Sequence, residues 1–259
     1  MKYSLLIPTR ERINKLEDCI KSIYETTHQK KNIEILIGCD FDDMSSFNMA
    51  NTLKERYQRT MDIKVFQRKR SEFLNRDYYN WLAEKASGDM IWVLADDLKL
   101  IVNGWDTEVT PYIENHFKTY PDKVLCVSMR DNTPPPSHRL PKFPCFPMFS
   151  KEAIKACGFL LSPNTPNWGA DYIAYVIYHP LNRLMQMHEK VYIIHISLHT
   201  KLMREADKTG KRIGTIFNRL KMIPEYNTDN MIAQECPKIR EKINSYIVDF
   251  NFKQRKKQE

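Results

Sequence analysis

The sequence MIWVLADD, residues 90–97, is the most informative stretch of the chain: an uninterrupted apolar run that ends in two aspartates. A short apolar run without polar alternation is typical of a strand that is buried on both faces of a parallel sheet. Gly88, just before the run, ends the helical pattern that precedes it. The stretch therefore predicts a central strand whose carboxyl end carries two acidic side chains.

Upstream of this strand, short β-branched runs alternate with helical patterns. Strands are predicted at 3–7, 33–39 and 63–66, and helices at 13–24, 47–57 and 74–86. In the first helix the apolar side chains recur at helical spacing, and the charged side chains lie on the other faces. This alternation predicts an α/β fold with a mostly parallel sheet flanked by helices.

The second half of the chain is less regular. Regular structure is predicted at 124–129, a strand at 191–196, and helices at 150–156, 171–178 and 229–246. Between Asp131 and Pro147, six prolines argue against a regular helix or a central strand. We therefore predict an extended loop there, of a length that usually has a function.

Polar side chains follow three of the predicted strands. They are Thr9 and Arg10 after the first strand, Asp40, Asp42 and Asp43 after the second, and Asp96 and Asp97 after the fourth. Ligands of open α/β sheets bind beyond the carboxyl ends of the strands, so we expect these groups to lie together. Carboxylates gathered there favour Mg²⁺ or Mn²⁺, held by one or two of them and by substrate phosphates. The alternative is that the aspartates only form turns and cap helices.

Composition narrows the class of protein. The chain has 259 residues, 42% of them apolar, which suits one α/β domain with a C-terminal appendage. It has no run of about 18 apolar residues and no long apolar core of a secretory signal, so we expect neither a membrane span nor export. Six cysteines are scattered without a C-x-x-C pair, which favours reduced thiols and a cytoplasmic location.

The net charge of +8 fits several kinds of partner. The positive charge is most concentrated in the C-terminal tail, which contains Lys253, Arg255, Lys256 and Lys257. Such a tail is either a solvated, disordered terminus or a patch that makes peripheral contact with a membrane surface. Nucleic acid is not an expected partner, because the chain has no basic stripe interleaved with aromatic residues and no known binding motif.

Three segments together resemble the family-2 glycosyltransferases of GT-A fold. They are SLLIPTRERINKLEDCIKSI at 4–23, IEILIGCDFDD at 33–43 and NWLAEKASGDMIWVLADD at 80–97. The resemblance implies a Rossmann-like GT-A domain at 1–225, with a nucleotide-binding half at 1–100 and an acceptor half at 101–225. The C-terminal helix and basic tail at 226–259 would be an appendage. The implied reaction moves a sugar from a nucleotide-diphosphate donor onto a glycan or lipid-linked acceptor.

The resemblance also implies roles for particular residues. Those implied to bind the donor are Pro8, Thr9, Arg10, Asp40, Asn80 and Asp96. The family has an Asp-x-Asp triplet for the metal and diphosphate, but here its first position is Ala95, so Mn²⁺ or Mg²⁺ would rely on Asp97. Later in the chain, His195 and His199 are candidates to complete the metal site. His199 is preferred because it lies past the predicted strand end.

The segments FSKEAIKACGFLLSP at 149–163 and NWGADYI at 167–173 resemble the region that leads to the acceptor-side acid of inverting members. This resemblance implies that Asp171 is the catalytic base, which removes the proton of the attacking hydroxyl. The alternative for Asp171 is the N-cap of the helix that it opens. Trp168 either stacks on an acceptor sugar or belongs to the core.

Two other functions are considered. A sugar-1-phosphate nucleotidyltransferase would need a glycine-rich loop after the first strand, and residues 8–12, PTRER, contain no glycine. A degenerate, non-catalytic transferase that binds nucleotides or glycans is the main alternative, because Ala95 removes one carboxylate of the triplet.

Overall fold

The computed structural model describes residues 1–132, 145–165, 169–196 and 231–256. The strands are β1 (Tyr3–Pro8), β2 (Ile33–Asp40), β3 (Asp62–Arg68), β4 (Met90–Val93), β5 (Leu98–Leu100), β6 (Cys126–Asp131), β7 (Cys145–Ser150), β8 (Leu184–Gln186) and β9 (Tyr192–His195). The α-helices are α1 (Ile13–Thr26), α2 (Met44–Tyr57), α3 (Trp81–Ala83), α4 (Trp105–Thr119), α5 (Lys151–Cys157), α6 (Ala170–Tyr178) and α7 (Cys236–Arg255). A 3₁₀ turn, Lys30–Asn32, precedes β2, and π-helical turns at Asn75–Asn80 and Met231–Glu235 precede α3 and α7.

The strands form one mixed sheet in the order β3-β2-β1-β4-β7-β6-β9-β5, with β8 beside β6. The first four strands of the chain are parallel, as predicted, and β4 lies between β1 and β7, which confirms it as a central strand. One face of the sheet packs against α1, α2 and α4, and the other against α3, α5, α6 and α7. The α/β prediction is therefore confirmed.

The prediction that 131–147 contains no central strand is wrong at its C-terminal end. β7 begins at Cys145 and pairs antiparallel with both β4 and β6. Pro147 lies inside it, at a position that has no partner in either ladder, where the register with β6 shifts between Val127 and Met129. A residue without an N–H is tolerated there because no ladder hydrogen bond is lost. Residues 133–144 of the predicted loop lie outside the described residues.

The C-terminal helix ends later than predicted. α7 continues to Arg255, so Lys253 and Arg255 lie in its last turn, where cations are favoured by the helix dipole. The expectation of a disordered tail is therefore wrong as far as Arg255. The helix is docked on the domain, since Lys242 Nζ donates to the carbonyl of Cys157 over 3.0 Å. Among the described helices, none combines the length and the apolar character that crossing a membrane requires.

A buried carboxylate ties the amino ends of the strands together. Glu34 of β2 is fully buried, and it accepts hydrogen bonds from Ser4 Oγ at 2.5 Å, Lys64 Nζ at 2.5 Å, and the Ser87 N–H and hydroxyl, both at 2.8 Å. Burial by itself would raise the pKa of Glu34, but these donors outweigh it and lower the pKa to about 2. Gly88 allows the close approach, because a Cβ there would lie 2.6 Å from Ser4 Oγ.

Glu34→Gln should lower the free energy of unfolding at pH 7 by about 2 to 3 kcal/mol, less than the loss of a fully buried ion pair because Lys64 keeps contact with solvent. A carboxylate with a lowered pKa stabilises the fold above the pKa of the unfolded chain and loses that effect as pH falls toward the folded value. Urea unfolding should therefore show the two proteins converging between about pH 4.5 and 2. An equal difference at pH 7 and pH 2.5 would contradict this role.

Candidate active site

The loop after β1 is held rigidly at the carboxyl edge of the sheet. Pro8 is the last residue of β1 and lies opposite Gly38, whose carbonyl accepts from the Thr9 N–H at 2.9 Å. Glu11 adopts a left-handed backbone conformation (φ 54°), and its N–H donates to Asp43 Oδ2 at 2.7 Å. Asp43 also caps the N-terminus of α2. The N-terminus of α2 thus fixes the loop that carries Arg10 and Arg12, the residues before and after Glu11.

Arg10 and Asp40 form the centre of a polar cluster after β2. Arg10 Nη1 donates to Asp40 Oδ2 at 2.8 Å and to Asp42 Oδ1 at 2.6 Å. The Tyr78 hydroxyl donates to the other oxygen of Asp40. Burial, followed by the hydrogen bond to Asp40, raises the pKa of Tyr78 to about 12. The guanidinium of Arg68 lies 4.8 Å from the centre of the Tyr78 ring. An aromatic ring and a second arginine therefore border the cluster.

Asp96 and Asp97 lie after β4 with almost no solvent exposure, at 3% and 4%. Thr9 Oγ1 donates to Asp96 Oδ2 at 2.8 Å. Arg12 Nη1 lies 3.1 Å from Asp96 Oδ1 and 3.3 Å from Asp97 Oδ2, and so bridges the two carboxylates. Burial raises the pKa of Asp96, while the Thr9 hydroxyl and the charge of Arg12 oppose the rise. Both oxygens of Asp96 are therefore engaged by protein donors.

His195, at the end of β9, brings an imidazole to the acidic pair. Its Nε2 lies 3.3 Å from Asp97 Oδ1. The contact is made by the antiparallel pairing of β5 with β9, in which Leu98 lies opposite His195 and the Ile196 N–H donates to the carbonyl of Asp97 at 2.9 Å. Of the two candidate histidines, the structure therefore places the less preferred one at Asp97. His199 lies outside the described residues.

The donor set of Asp97 and His195 is compatible with a divalent cation. Two neighbouring ligands of an octahedral ion with bonds of about 2.1 Å lie about 3 Å apart, close to the observed separation. Within the described residues, no group of three or more His, Cys, Asp or Glu side chains could hold a metal ion. Sites for Mn²⁺ or Mg²⁺ that have one or two protein ligands take the remaining ligands from phosphate oxygens and water.

Asp171 is the second residue of α6 and is partly buried. The N-cap position belongs to Gly169 (φ 83°), so the reading of Asp171 as the cap is wrong. Its Oδ1 accepts the Tyr172 N–H at 2.9 Å. Burial, together with the negative charge of Asp131, raises the pKa of Asp171 to about 6. Asp131, whose charge acts on Asp171, lies opposite Ile193 of β9 in the sheet.

Asn80 uses its side chain within the protein. Its Oδ1 accepts the N–H groups of Leu160 at 2.9 Å and Leu161 at 3.0 Å, and its Nδ2 donates to the carbonyl of Leu161 at 2.8 Å. It therefore anchors the segment that follows α5, and contact with a nucleotide stays a prediction. Trp168 lies outside the described residues.

Two residues of the cluster were not singled out from the sequence. Tyr78 lies within the predicted helix at 74–86, and its hydroxyl donates to Asp40. Arg12 directly precedes the predicted helix at 13–24. The signal that could have revealed it is its place in the same loop as Thr9 and Arg10, at the N-terminus of α1.

The sequence model of "Glycosyl transferase family 2" matches residues 4–166, more than half of the chain. The chain belongs to glycosyl transferase family 2. The matched region contains β1 to β7, with Arg10, Asp40, Asp96 and Asp97, whereas His195 on β9 lies beyond it. A comparison with curated protein sequences gives no match at the same level of significance.

Solved structures of glycosyltransferases share the fold of this family-2 protein. Mannosyltransferase PcManGT from Pyrobaculum calidifontis, in complex with GDP-Man and Mn²⁺, is 12% identical, with a TM-score of 0.60 over 95% of this chain and 73% of that one. S. aureus TarS 1–349 with UDP is 14% identical, with a TM-score of 0.59 over 75% of this chain and 60% of that one. GalNAc-T7 with UDP, GalNAc and Mn²⁺ is 17% identical, with a TM-score of 0.56 over 75% of this chain and 44% of that one. These likenesses confirm the GT-A fold.

Proposed function

We propose that this family-2 glycosyltransferase transfers a sugar from a nucleotide-diphosphate donor onto a hydroxyl of a glycan or lipid-linked acceptor, in a single inverting displacement. The observation that carries the proposal is the meeting of Asp96, Asp97 and His195 at the carboxyl edge of the sheet. Asp97 and His195 present a carboxylate oxygen and an imidazole nitrogen 3.3 Å apart, which are ligand types that Mn²⁺ accepts. Such an arrangement suits the binding of a diphosphate together with a metal ion.

The residues around Asp40 and those around Asp96 and Asp97 have different proposed roles in binding the donor. Asp40, oriented by Arg10 and Tyr78, would accept a hydrogen bond from the nucleoside, and Thr9 would keep Asp96 in place. Asp97 and His195 would hold Mn²⁺ or Mg²⁺. When bound, the cation would neutralise the negative charge that develops on the diphosphate leaving group. Similar structures contain UDP, UDP-GlcNAc, or GDP-Man with Mn²⁺, which supports both a nucleotide-sugar donor and a divalent cation.

Asp171 is the proposed base on the acceptor side. A general base works best when its pKa lies near the pH of the reaction, and the pKa of Asp171 is raised to about 6. The carboxylate would take the proton of the acceptor hydroxyl as that oxygen attacks the anomeric carbon and the bond to the diphosphate breaks. A degenerate module that only binds nucleotides or glycans would not need this group, so Asp171 separates the two functions.

A thermal-shift panel of UDP, GDP and dTDP, each with Mn²⁺ or with EDTA, tests the proposal. At a concentration a hundred times its dissociation constant, a ligand stabilises the folded state by about 2.7 kcal/mol. For a protein of this size that is a rise in Tm of about 5 to 10 °C. At least one nucleotide should produce such a rise, larger with Mn²⁺ than with EDTA. No rise with any nucleotide under either condition would contradict a nucleotide-sugar donor.

Peripheral contact with an anionic membrane is also part of the proposal. Val248 and Phe252 are 64% and 58% exposed on α7, and Lys253, Arg255 and Lys256 follow on the same end of the helix. Exposed apolar side chains beside basic ones suit the surface of an anionic bilayer. This contact would bring the protein to a lipid-linked acceptor.

A further inference from the structure

Arg12 occupies a position in the donor cluster that the proposed roles leave unexplained. One nitrogen of its guanidinium, Nη1, contacts Asp96 Oδ1 and Asp97 Oδ2 at 3.1 and 3.3 Å. The two carboxylates are almost fully buried, whereas the Arg12 side chain is 48% exposed. The guanidinium therefore lies between the acidic pair and solvent, on the side from which a ligand can reach it.

A diphosphate that binds beside this acidic pair is favoured by positive charge close to both. Among the described residues, Arg12 places a positive charge against both acidic side chains. A nucleotide diphosphate would add at least two more negative charges close to the same carboxylates. Repulsion at such distances in a partly buried site disfavours binding unless positive charge lies between the two groups.

The guanidinium keeps donors for such a ligand. Within the described residues, Nη2 and Nε of Arg12 make no hydrogen bond to the protein. Arginine presents its N–H groups in a planar fork that matches two phosphate oxygens, and it is never deprotonated in proteins. Arg12 can therefore contact the carboxylates through Nη1 and a phosphate through the other two nitrogens at the same time.

Building on the proposed function, we propose that Arg12 supplies a fixed positive charge in the donor site and binds the diphosphate of the donor directly. Ala95 leaves the triplet with one carboxylate fewer to hold a metal ion. Arg12 partly makes up for this loss, because its positive charge is covalently part of the chain and does not depend on metal ligands. Nucleotide-diphosphate binding accordingly has a component that does not depend on metal, in addition to the component that depends on Asp97 and His195.

Isothermal titration of UDP, GDP and dTDP in EDTA tests this role without requiring an acceptor. Wild type should bind at least one of them in EDTA, and Arg12→Gln should weaken that binding about ten- to a hundredfold, the range for charge-assisted hydrogen bonds. Arg12→Lys keeps the charge but loses the fork, and should fall between the two. Arg56→Gln is the matched control, because it removes the same charge from a surface pair with Glu17 and should leave the affinity unchanged.

The outcomes separate this inference from the proposed function. Equal affinity of wild type and Arg12→Gln in EDTA would overturn the role of Arg12. Binding that occurs only with Mn²⁺ would overturn it too, and would leave the proposed function standing. No binding with or without Mn²⁺ would overturn both. Arg12→Gln could fail to fold, because it removes the positive charge between the two carboxylates. In that case Arg12→Lys is the test variant. If Arg12→Lys binds the nucleotide in EDTA as tightly as wild type does, bidentate phosphate binding by Arg12 is excluded.

Discussion

Asp171→Asn should lower the rate of sugar transfer by at least about a hundredfold, because a positioned general base contributes about 10²- to 10⁴-fold. The amide has the shape of the carboxylate, and its oxygen can still accept the Tyr172 N–H that Asp171 Oδ1 accepts now. Nucleotide affinity should be unchanged, since the proposed role of the residue is to act on the acceptor. The expected variant is therefore folded and binds donor, yet transfers almost nothing.

The pKa of Asp171 adds a pH dependence that a purely structural role would not produce. The base acts in its ionised form, and burial raises its pKa to about 6. In wild type, kcat/KM should therefore fall as pH decreases through about 6, and this limb should be absent from the residual activity of Asp171→Asn. A raised carboxyl pKa also means that ionisation costs stability above pH 6. The Tm of the variant at pH 7.5 should accordingly equal or exceed that of wild type.

The measurement combines transfer rate, nucleotide affinity and Tm in one preparation, with the donor chosen from the thermal-shift panel and a crude glycan or lipid extract as acceptor. If activity only follows a lower Tm, Asp171 has a structural role. Undiminished transfer would remove it from the mechanism. Asp131, whose charge acts on Asp171, and Asp207, outside the described residues, would then be the next candidates. A wild type that binds nucleotide but transfers nothing to any extract would favour the non-catalytic module.

Asp97→Ala should abolish the metal-dependent part of nucleotide binding, so that affinities measured with Mn²⁺ and with EDTA become equal. Asp97 Oδ1 lies 3.3 Å from His195 Nε2, and the two form the only pair of donors that we assign to the cation. Without the carboxylate, an imidazole alone would have to hold a hard cation that prefers oxygen ligands. The component measured in EDTA should persist, because Arg12 still contacts Asp96.

Asp96→Ala is the matched variant for this test. Its two oxygens accept from Thr9 and Arg12 within the protein, so its loss should weaken metal-dependent binding less than the loss of Asp97. Isothermal titration with UDP, GDP and dTDP, with and without Mn²⁺, compares the two. If Asp97→Ala retains the full difference between Mn²⁺ and EDTA for every nucleotide that binds, the metal role of Asp97 is excluded. If Asp97→Ala destabilises the protein, Asp97→Asn is the variant to measure, because the amide keeps the size of the aspartate side chain.

The parallel half of the sheet could be predicted from the sequence because its signals are local. The apolar run of β4 spans a few consecutive residues, and the helical spacing in α1 spans a few turns. In a layered α/β fold, these patterns indicate which side chains are buried between the sheet and the helices. The order of elements then places Thr9, Asp40 and Asp96 at one edge, since carboxyl ends of parallel strands share an edge. The resemblance of the same segments to family-2 glycosyltransferases supplied the roles expected of these residues.

Only the tertiary structure showed which groups meet across long separations in the chain. The pairing of Leu98 with His195 selects one histidine for Asp97, and no local pattern encodes that register. Pro147 is accepted in a central strand because its neighbours β4 and β6 leave that position unpaired, which depends on both partners. The raised pKa of Asp171 arises from desolvation and from the charge of Asp131, and both depend on packing between distant segments.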